Sequence, residues 1–342
     1  MASLRIIRRS LRSIQNTKQI MRAMQLVSGS KLKRAQAKLL QAREVLEFLD
    51  GLLQRVLAAT PTLDHPLCAT PSTSLRVASR APFGSAQDAR PELVEGRAEP
   101  RDARRDAGES LLVLFTSDAG LCGSYNVNLI QLAESHLRRD SAKRTKVIYI
   151  GKKGYRYFTK RGYQAEEAFV DLAGRPNLAK AETIGRSLIE RFLSGHVGAI
   201  TLLYSRFVSS TVYRPTVDAW LPIQLSPQSL PAMMTEGQAG TVHPGPPVVV
   251  AGAGSPQSEY IFEPSARRVF EDLLPRWALA KFQCLMLEAF TSEHSARMIA
   301  MKNATDNAEE IMSALTLQRN KLRQAAITKE ISEIVGTAEA LR

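Results

Sequence analysis

The stretch that decides the fold is Ser292–Val335, SEHSARMIAMKNATDNAEEIMSALTLQRNKLRQAAITKEISEIV. It is the major part of a longer run, Arg276 to Val335, that holds neither proline nor glycine, although the chain of 342 residues carries 17 and 20 of them. The opposite end behaves alike, since no proline occurs before Pro61. At ~1.5 Å per residue, either stretch of about 60 residues spans roughly 90 Å as one helix, against ~11–12 residues for an ordinary globular helix. Two such rods at the two ends of one chain predict an extended antiparallel pair with the remaining fold between them, the shape of a shaft.

The first rod carries a heptad. Steps of four and three from Ile7 reach Leu11, Ile14, Lys18, Met21, Gln25, Ser28, Leu32, Ala35, Leu39, Ala42, Leu46, Leu49, Leu53 and Val56, and twelve of these fifteen positions are apolar. That pattern calls for a coiled-coil partner. Its three polar members cluster between Lys18 and Ser28. In the last rod the expected seam starts at Phe282, Met286 and Ala289, thins to Ala296, Ala300 and Ala304, and recovers at Ile311 and Leu315. Small residues allow close backbone approach but bury little apolar area, so such a rod gains by enclosure in a larger assembly.

Between the rods the segments 111–116, 146–150 and 199–206 read as buried strands, 211–223 as a further strand, and 126–139 and 177–194 as helices. Strands alternating with helices imply a mostly parallel sheet. The expected class is therefore α/β: a long antiparallel coiled coil of N- and C-terminal helices plus a central Rossmann-like α/β domain. The division runs 1–60 for the first coiled-coil helix, 61–110 for a linker with a disordered insertion and 111–223 for the α/β domain. Residues 224–260 form a Pro/Gly-rich loop and 261–342 the last coiled-coil helix. Residues 73–110 combine seven arginines and seven acids with few large apolar groups, which favours solvation over packing.

The net charge of +13 is uneven: residues 1–60 hold twelve Lys/Arg against Glu44, Glu47 and Asp50. Such an arm suits nucleic acid, an anionic membrane surface or an acidic protein, and charge alone does not choose. Cys68, Cys122 and Cys284 show no paired spacing, which argues against a disulfide scaffold or structural zinc. No apolar run approaches the ~18–20 residues of a membrane span. The basic start, MASLRIIRRSLRS, runs in phase into the first helix and reads as part of it. Gly120-Leu121-Cys122-Gly123 reads as a turn after a strand, because no histidine is near in sequence to activate the thiol. Gly151-Lys152-Lys153-Gly154 lacks phosphate-loop spacing and reads as a turn into a helix. Glu293-His294 reads as a solvent or partner contact. No catalytic, cofactor-binding or metal site is expected.

Three segments together resemble the gamma subunit of the F-type, proton-translocating ATP synthase: Ser13–Gln36 (SIQNTKQIMRAMQLVSGSKLKRAQ), Thr116–Leu129 (TSDAGLCGSYNVNL) and the Ser292–Val335 stretch, with Phe262-Glu263-Pro264 before the last helix. The resemblance implies a non-catalytic central-stalk rotor whose paired helices pass through a ring of alpha and beta subunits. Its foot would join the epsilon subunit and the c-subunit ring, with no nucleotide site and no membrane span of its own. It also implies a peripheral location on the cytoplasmic side of the bacterial inner membrane. Carried over by position, Arg22, Met24, Arg323, Gln324, Thr328 and Glu333 would meet the catalytic ring, where an arginine's fork of donors suits acidic loops. Met21, where the family usually has threonine, and Ser28-Gly29-Ser30, in place of an alanine-rich run, depart from it. The rival reading is a basic coiled-coil nucleic-acid binder, which leaves the nearly neutral last helix without a role.

Overall fold

A computed structural model describes residues 2–59, 65–68, 109–139, 145–172, 178–224 and 262–340. Helix α1 covers Ala2–Ala59 and helix α5 covers Ala266–Ala340, 58 and 75 residues long. They pack antiparallel in one register: Lys18 pairs with Glu309 at 2.5 Å, Gly29 faces Met298, Arg43 meets Glu288 at 2.6 Å, and the Trp277 indole N–H donates to Asp50. All fifteen heptad positions of α1 are buried or half-buried, while the adjacent Ile6, Leu26 and Val27 face outward. The 3.5-residue apolar repeat therefore sets which face of α1 meets α5.

The seam of α5 agrees with the sequence expectation at Phe282, Met286, Ala289, Ala296 and Leu315 and differs between the last two. Met301, Thr305 and Ala308 are buried, and Met312, Leu315, Arg319, Leu322 and Ala326 are half-buried, whereas Ile311 is exposed. The inward positions thus lie one residue beyond the expected Ala300, Ala304 and Ile311. Below them, residues 284–296 are buried on every side, between α1 and the sheet. A fully enclosed stretch has no polar face, so it carries no phase into the alanine-rich run above. Pro275 lies inside α5, and the helix starts ten residues before it becomes free of proline and glycine.

The central unit contains β1 (Glu109–Phe115), α2 (Tyr125–Arg139), β2 (Thr145–Ile150), α3 (Lys152–Thr159), β3 (Ala165–Phe169), α4 (Leu178–Leu193), β4 (Val197–Phe207) and β5 (Tyr213–Leu221). The sheet order is β3-β2-β1-β4-β5, parallel except for the antiparallel β4–β5 pair. Helices α2 and α3 cover one face, over Leu112, Leu114, Val147 and Tyr149. The other face, with Leu111, Val113, Phe115, Ile148 and Tyr204, joins α4, α1 and α5 in one core. Gly185 on α4 makes this possible, since a Cβ there would stand 2.7 Å from Leu279 and 3.1 Å from Phe282 of α5.

Strand β3 was not expected as an element. The reading of 151–154 as a turn into a helix holds in part: a helix follows, but α3 starts at Lys152, so only Gly151 precedes it. Of the linker 61–110, only 65–68 and 109–110 are described; Glu109 and Ser110 already belong to β1, and Cys68 bridges to Ile223. The rest of the 73–110 insertion, and the 224–260 loop beyond Gln224, lie outside the described residues. Among the described residues, no helix is long and apolar enough to cross a membrane.

Candidate partner surface along the helical shaft

The six residues carried over by position are all exposed, and the structure separates them into two groups. Arg22 and Met24 sit on α1 between the levels marked by Lys18–Glu309 and Gly29–Met298. Arg323, Gln324, Thr328 and Glu333 lie on α5 about 20 residues further up, roughly 30 Å along the axis at ~1.5 Å per residue. On the antiparallel register the beginning of α1 comes level with Arg323. Residues 331–337 are exposed on all sides, so α5 continues alone. Glu333 meets Lys329 at 3.6 Å, one turn away and in the open, where such a pair stabilises the helix little.

The two groups differ in chemistry. From Arg5 to Arg43, α1 carries eleven Lys/Arg and no acid. Lys18 turns inward to Glu309, holding that carboxyl below its usual range through their hydrogen bond, while Arg22 and most of the other cations face solvent. The solitary end of α5 instead exposes Ile327, Ile331, Ile334 and Val335 beside its polar residues. Together these aliphatic side chains give the lone helix an apolar surface.

Polar links fasten the sheet to the shaft. The Arg43 guanidinium donates to Glu288 at 2.6 Å and to the Phe207 carbonyl at 3.1 Å, joining α1, α5 and β4. One turn on, Ser292 donates to the Ser205 carbonyl at 2.9 Å, and Ser295 to the Ser210 carbonyl at 2.6 Å. Arg297 pairs with Glu293 at 2.8 Å and donates to the Gly120 carbonyl at 3.2 Å. The Tyr125 hydroxyl donates to the Ala289 carbonyl and the Trp220 indole to that of Ala278, both at 3.1 Å. Burial pushes the Glu288 and Glu293 carboxyls up despite their arginine partners, and the Tyr125 hydroxyl well above the usual phenol range.

Glu293 and His294 are thus interior groups, 3% and 1% exposed, not the solvent or partner contacts expected from their polarity. Sequence reading missed the whole set. One signal was available: Glu288, Ser292 and Ser295 fall at i, i+4 and i+7, a polar stripe on one helix face inside an apolar stretch.

The rival chemical sites resolve into packing. The first amides of α3 are taken by the chain itself: Lys152 N–H donates to Asp118 at 3.0 Å, Lys153 N–H to the Ser117 carbonyl at 3.1 Å and Gly154 N–H to the Thr116 hydroxyl at 3.0 Å. No donors there point outward to cradle a phosphate. Cys122 is buried and accepts from the Asn126 amide at 3.0 Å, within a turn where Leu121 and Gly123 adopt positive φ. In open α/β sheets ligands bind beyond the strand ends where the order reverses, here between β1 and β4. Ser295 and Arg297 of α5 stand at that position, bonded to the loops after β4 and β1 respectively, and Ser292 bonds to β4 itself.

The family described as ATP synthase matches residues 3–341. The chain is 38% identical to the ATP synthase gamma chain of Symbiobacterium thermophilum over 338 residues, 98% of this chain and 97% of that one. It is 35% identical to the gamma chain of Pelotomaculum thermopropionicum over the full length of both. Among solved structures, a chain of the Euglena gracilis mitochondrial ATP synthase (OSCP/F1/c-ring, rotational state 3) is similar in fold. There the TM-score is 0.57 at 16% identity, covering 99% of this chain and 95% of that one.

Proposed function

The chain belongs to the ATP synthase gamma-chain family, and from that premise we propose that it is the central-stalk rotor of a bacterial F-type synthase, with no catalytic site of its own. The observation that carries this reading is the two-part shaft: a paired lower section fastened to an α/β base, and a single α5 helix continuing beyond its partner. A shaft transmits rotation only if its base cannot turn relative to it. The Arg43–Glu288–Phe207 junction and the Arg297 junction are placed to resist that slip.

In this reading residues 1–60 and 261–342 form the axle and 111–223 its base. The alpha and beta subunits surround the axle. The cationic flank of α1, with Arg22 and Met24, meets acidic segments of the catalytic ring at one level, and Arg323, Gln324, Thr328 and Glu333 meet the ring at a higher one. The base stands on the c-subunit ring with the epsilon subunit, on the cytoplasmic face of the inner membrane. Proton-driven turning of the c ring reaches the beta subunits through the axle. The cations of α1 serve protein contacts here, in place of the nucleic-acid alternative.

The test is rotation itself. The chain is assembled with its own alpha and beta subunits, immobilised by the ring, and labelled on the base with a bead. Stepwise turning on addition of ATP is the expected result. Failure to assemble, or an assembled complex that hydrolyses ATP with a stationary label, overturns the proposal.

A further inference from the structure

The described residues of the connection between α1 and β1, His65 to Cys68, form a single turn. Pro66 holds its second position, where the fixed φ of proline suits a turn, and the Cys68 amide closes it on the His65 carbonyl at 2.9 Å. Inside the turn the Leu67 amide donates to Nδ1 of the His65 ring at 3.0 Å. The imidazole thus does what aspartate or asparagine does at the head of a turn, accepting from the amide two residues on. The turn is fastened to two other parts of the base. The Leu67 carbonyl accepts from the Ile223 amide at 2.7 Å, just past β5 at the edge of the sheet, and Cys68 bridges to the same residue. The His65 ring stands edge-to-face with Phe270 of α5, ring centres 6.0 Å apart. Leu67 and Cys68 are buried beneath it.

A backbone amide donates only to a bare ring nitrogen, so the bond from Leu67 fixes this imidazole as neutral, with its proton on Nε2. In the imidazolium both nitrogens carry protons, and Nδ1–H would confront the Leu67 N–H, donor against donor. We propose that His65 is an acid-operated latch: protonation of its ring breaks the turn and releases residues 65–68 from the end of β5 and from α5, while the sheet and the helical shaft stay folded. Burial holds the ring below the usual histidine value of 6.5, and Glu271 of α5, which favours the cation, offsets only part of this. Asp64 precedes the ring in sequence with a charge of the same sign. Phe270 and Ile223, on the two elements that the turn meets, carry no charge. Above 6.5 the ring is neutral whether latched or released, and the latch is at full strength. As pH falls below that value the released form takes up the proton first, so the latch weakens. The buried Glu288 and Glu293 carboxyls, held above their usual value, gain stability over the same descent, so the core does not loosen with the turn.

The test follows the Cys68 thiol in the full chain, since release of the turn opens it to solvent. A pyridyl disulfide, which stays reactive in acid, is applied from about pH 7.5 down to about pH 5.5, a range that spans the titration of histidine. Each rate is divided by the rate in denaturant at the same pH, and peptide mapping separates Cys68 from Cys122 and Cys284. Protection of Cys68 is expected to fall about five- to tenfold on descent through this range, while that of Cys122 and Cys284 does not fall. His65→Asn keeps an oxygen to accept from the Leu67 amide but takes up no proton, so protection is expected to persist and its pH dependence to vanish. Glu271→Gln removes the charge that favours the cation and is expected to move the midpoint to lower pH. It carries the test alone if the asparagine variant does not fold. A flat profile in the parent, the same fall in His65→Asn, a midpoint that Glu271→Gln leaves in place or raises, or equal losses at all three cysteines overturns the latch.

Discussion

Arg43 and Glu288, 245 residues apart in sequence, meet at 2.6 Å where the glutamate side chain is only 3% exposed. Their contact joins the two ends of the chain, and the remaining donor capacity of the arginine reaches the Phe207 carbonyl of the sheet. Removing one member of a buried pair strands the other. Arg43→Ala is expected to destabilise the subunit by about 3–5 kcal/mol, and Glu288→Gln by less, since it keeps volume and a hydrogen bond. Urea unfolding of the purified variants measures both.

The same carboxyls give stability a pH dependence of defined sign. Glu288 and Glu293 sit above the usual carboxylate value of 4.5, burial being the first cause and outweighing Arg43 and Arg297. Near and above that value the folded chain holds more protons than the unfolded one. Their contribution is complete below 4.5 and is lost as pH rises through their folded values. In a pH series of unfolding curves, Glu288→Gln with Glu293→Gln is expected to flatten the decline seen in the parent.

Gly29 is half-buried in mid-helix, and a Cβ there would meet the Met298 sulfur at 3.6 Å, an ordinary contact. Gly29→Ala is expected to stabilise α1 by about 1 kcal/mol. A rise in melting temperature of the isolated subunit checks it, and a fall would show that Met298 cannot shift.

The three cysteines are buried and form no disulfide, and burial pushes the Cys284 thiol up to about 12. The thiolate is the reactive form. At pH 8 alkylation of Cys284 is therefore expected to be negligible in the folded chain and complete in denaturant, as read by mass spectrometry.

The upper end of α5 should separate stability from coupling. Arg323, Gln324, Ile331 and Ile334 are exposed, so replacing them is expected to change the isolated subunit's stability by no more than about 0.5 kcal/mol per site. Proton-driven ATP synthesis in membrane vesicles is expected to fall for Arg323→Ala with Gln324→Ala, and for Ile331→Ser with Ile334→Ser. Unchanged synthesis would remove these residues from the contact surface.

The parts of the fold legible in the sequence are those with strong periodicity. Leu32, Leu39, Leu46 and Leu53 marked the α1 seam because large side chains recur at heptad spacing against a charged background. The α5 seam was placed as found at Phe282, Met286, Ala289, Ala296 and Leu315 but a residue early at Ala300, Ala304 and Ile311, because alanines there mark two adjacent faces equally well. Strand β3, with Glu166 and Glu167 at its centre, is a sheet edge whose acids pair with Arg191 and Lys146, so it shows no apolar run. Helix α3 is 8 residues long with Gly154 inside, a glycine required because a Cβ would stand 2.9 Å from Thr116. Glu288 was overlooked, and Glu293 and His294 were read as surface contacts, for a different reason. Charge implies solvent until burial is known: Arg43 lies 245 residues from Glu288, and although Arg297 stands one turn from Glu293, only the three-dimensional fold encloses that pair against the loop after β1.

Pro275 interrupts α5 just below its first bond to the sheet, the one from Trp220 to the Ala278 carbonyl. Lacking an amide, it leaves the ladder one rung short at Glu271. Any flexing at that rung occurs beneath every hydrogen bond between sheet and shaft described above. Below it lie only the nine residues 266–274, with Phe270 and Leu274 fully buried in the common core, so the missing rung stands outside the path by which torque passes from sheet to column.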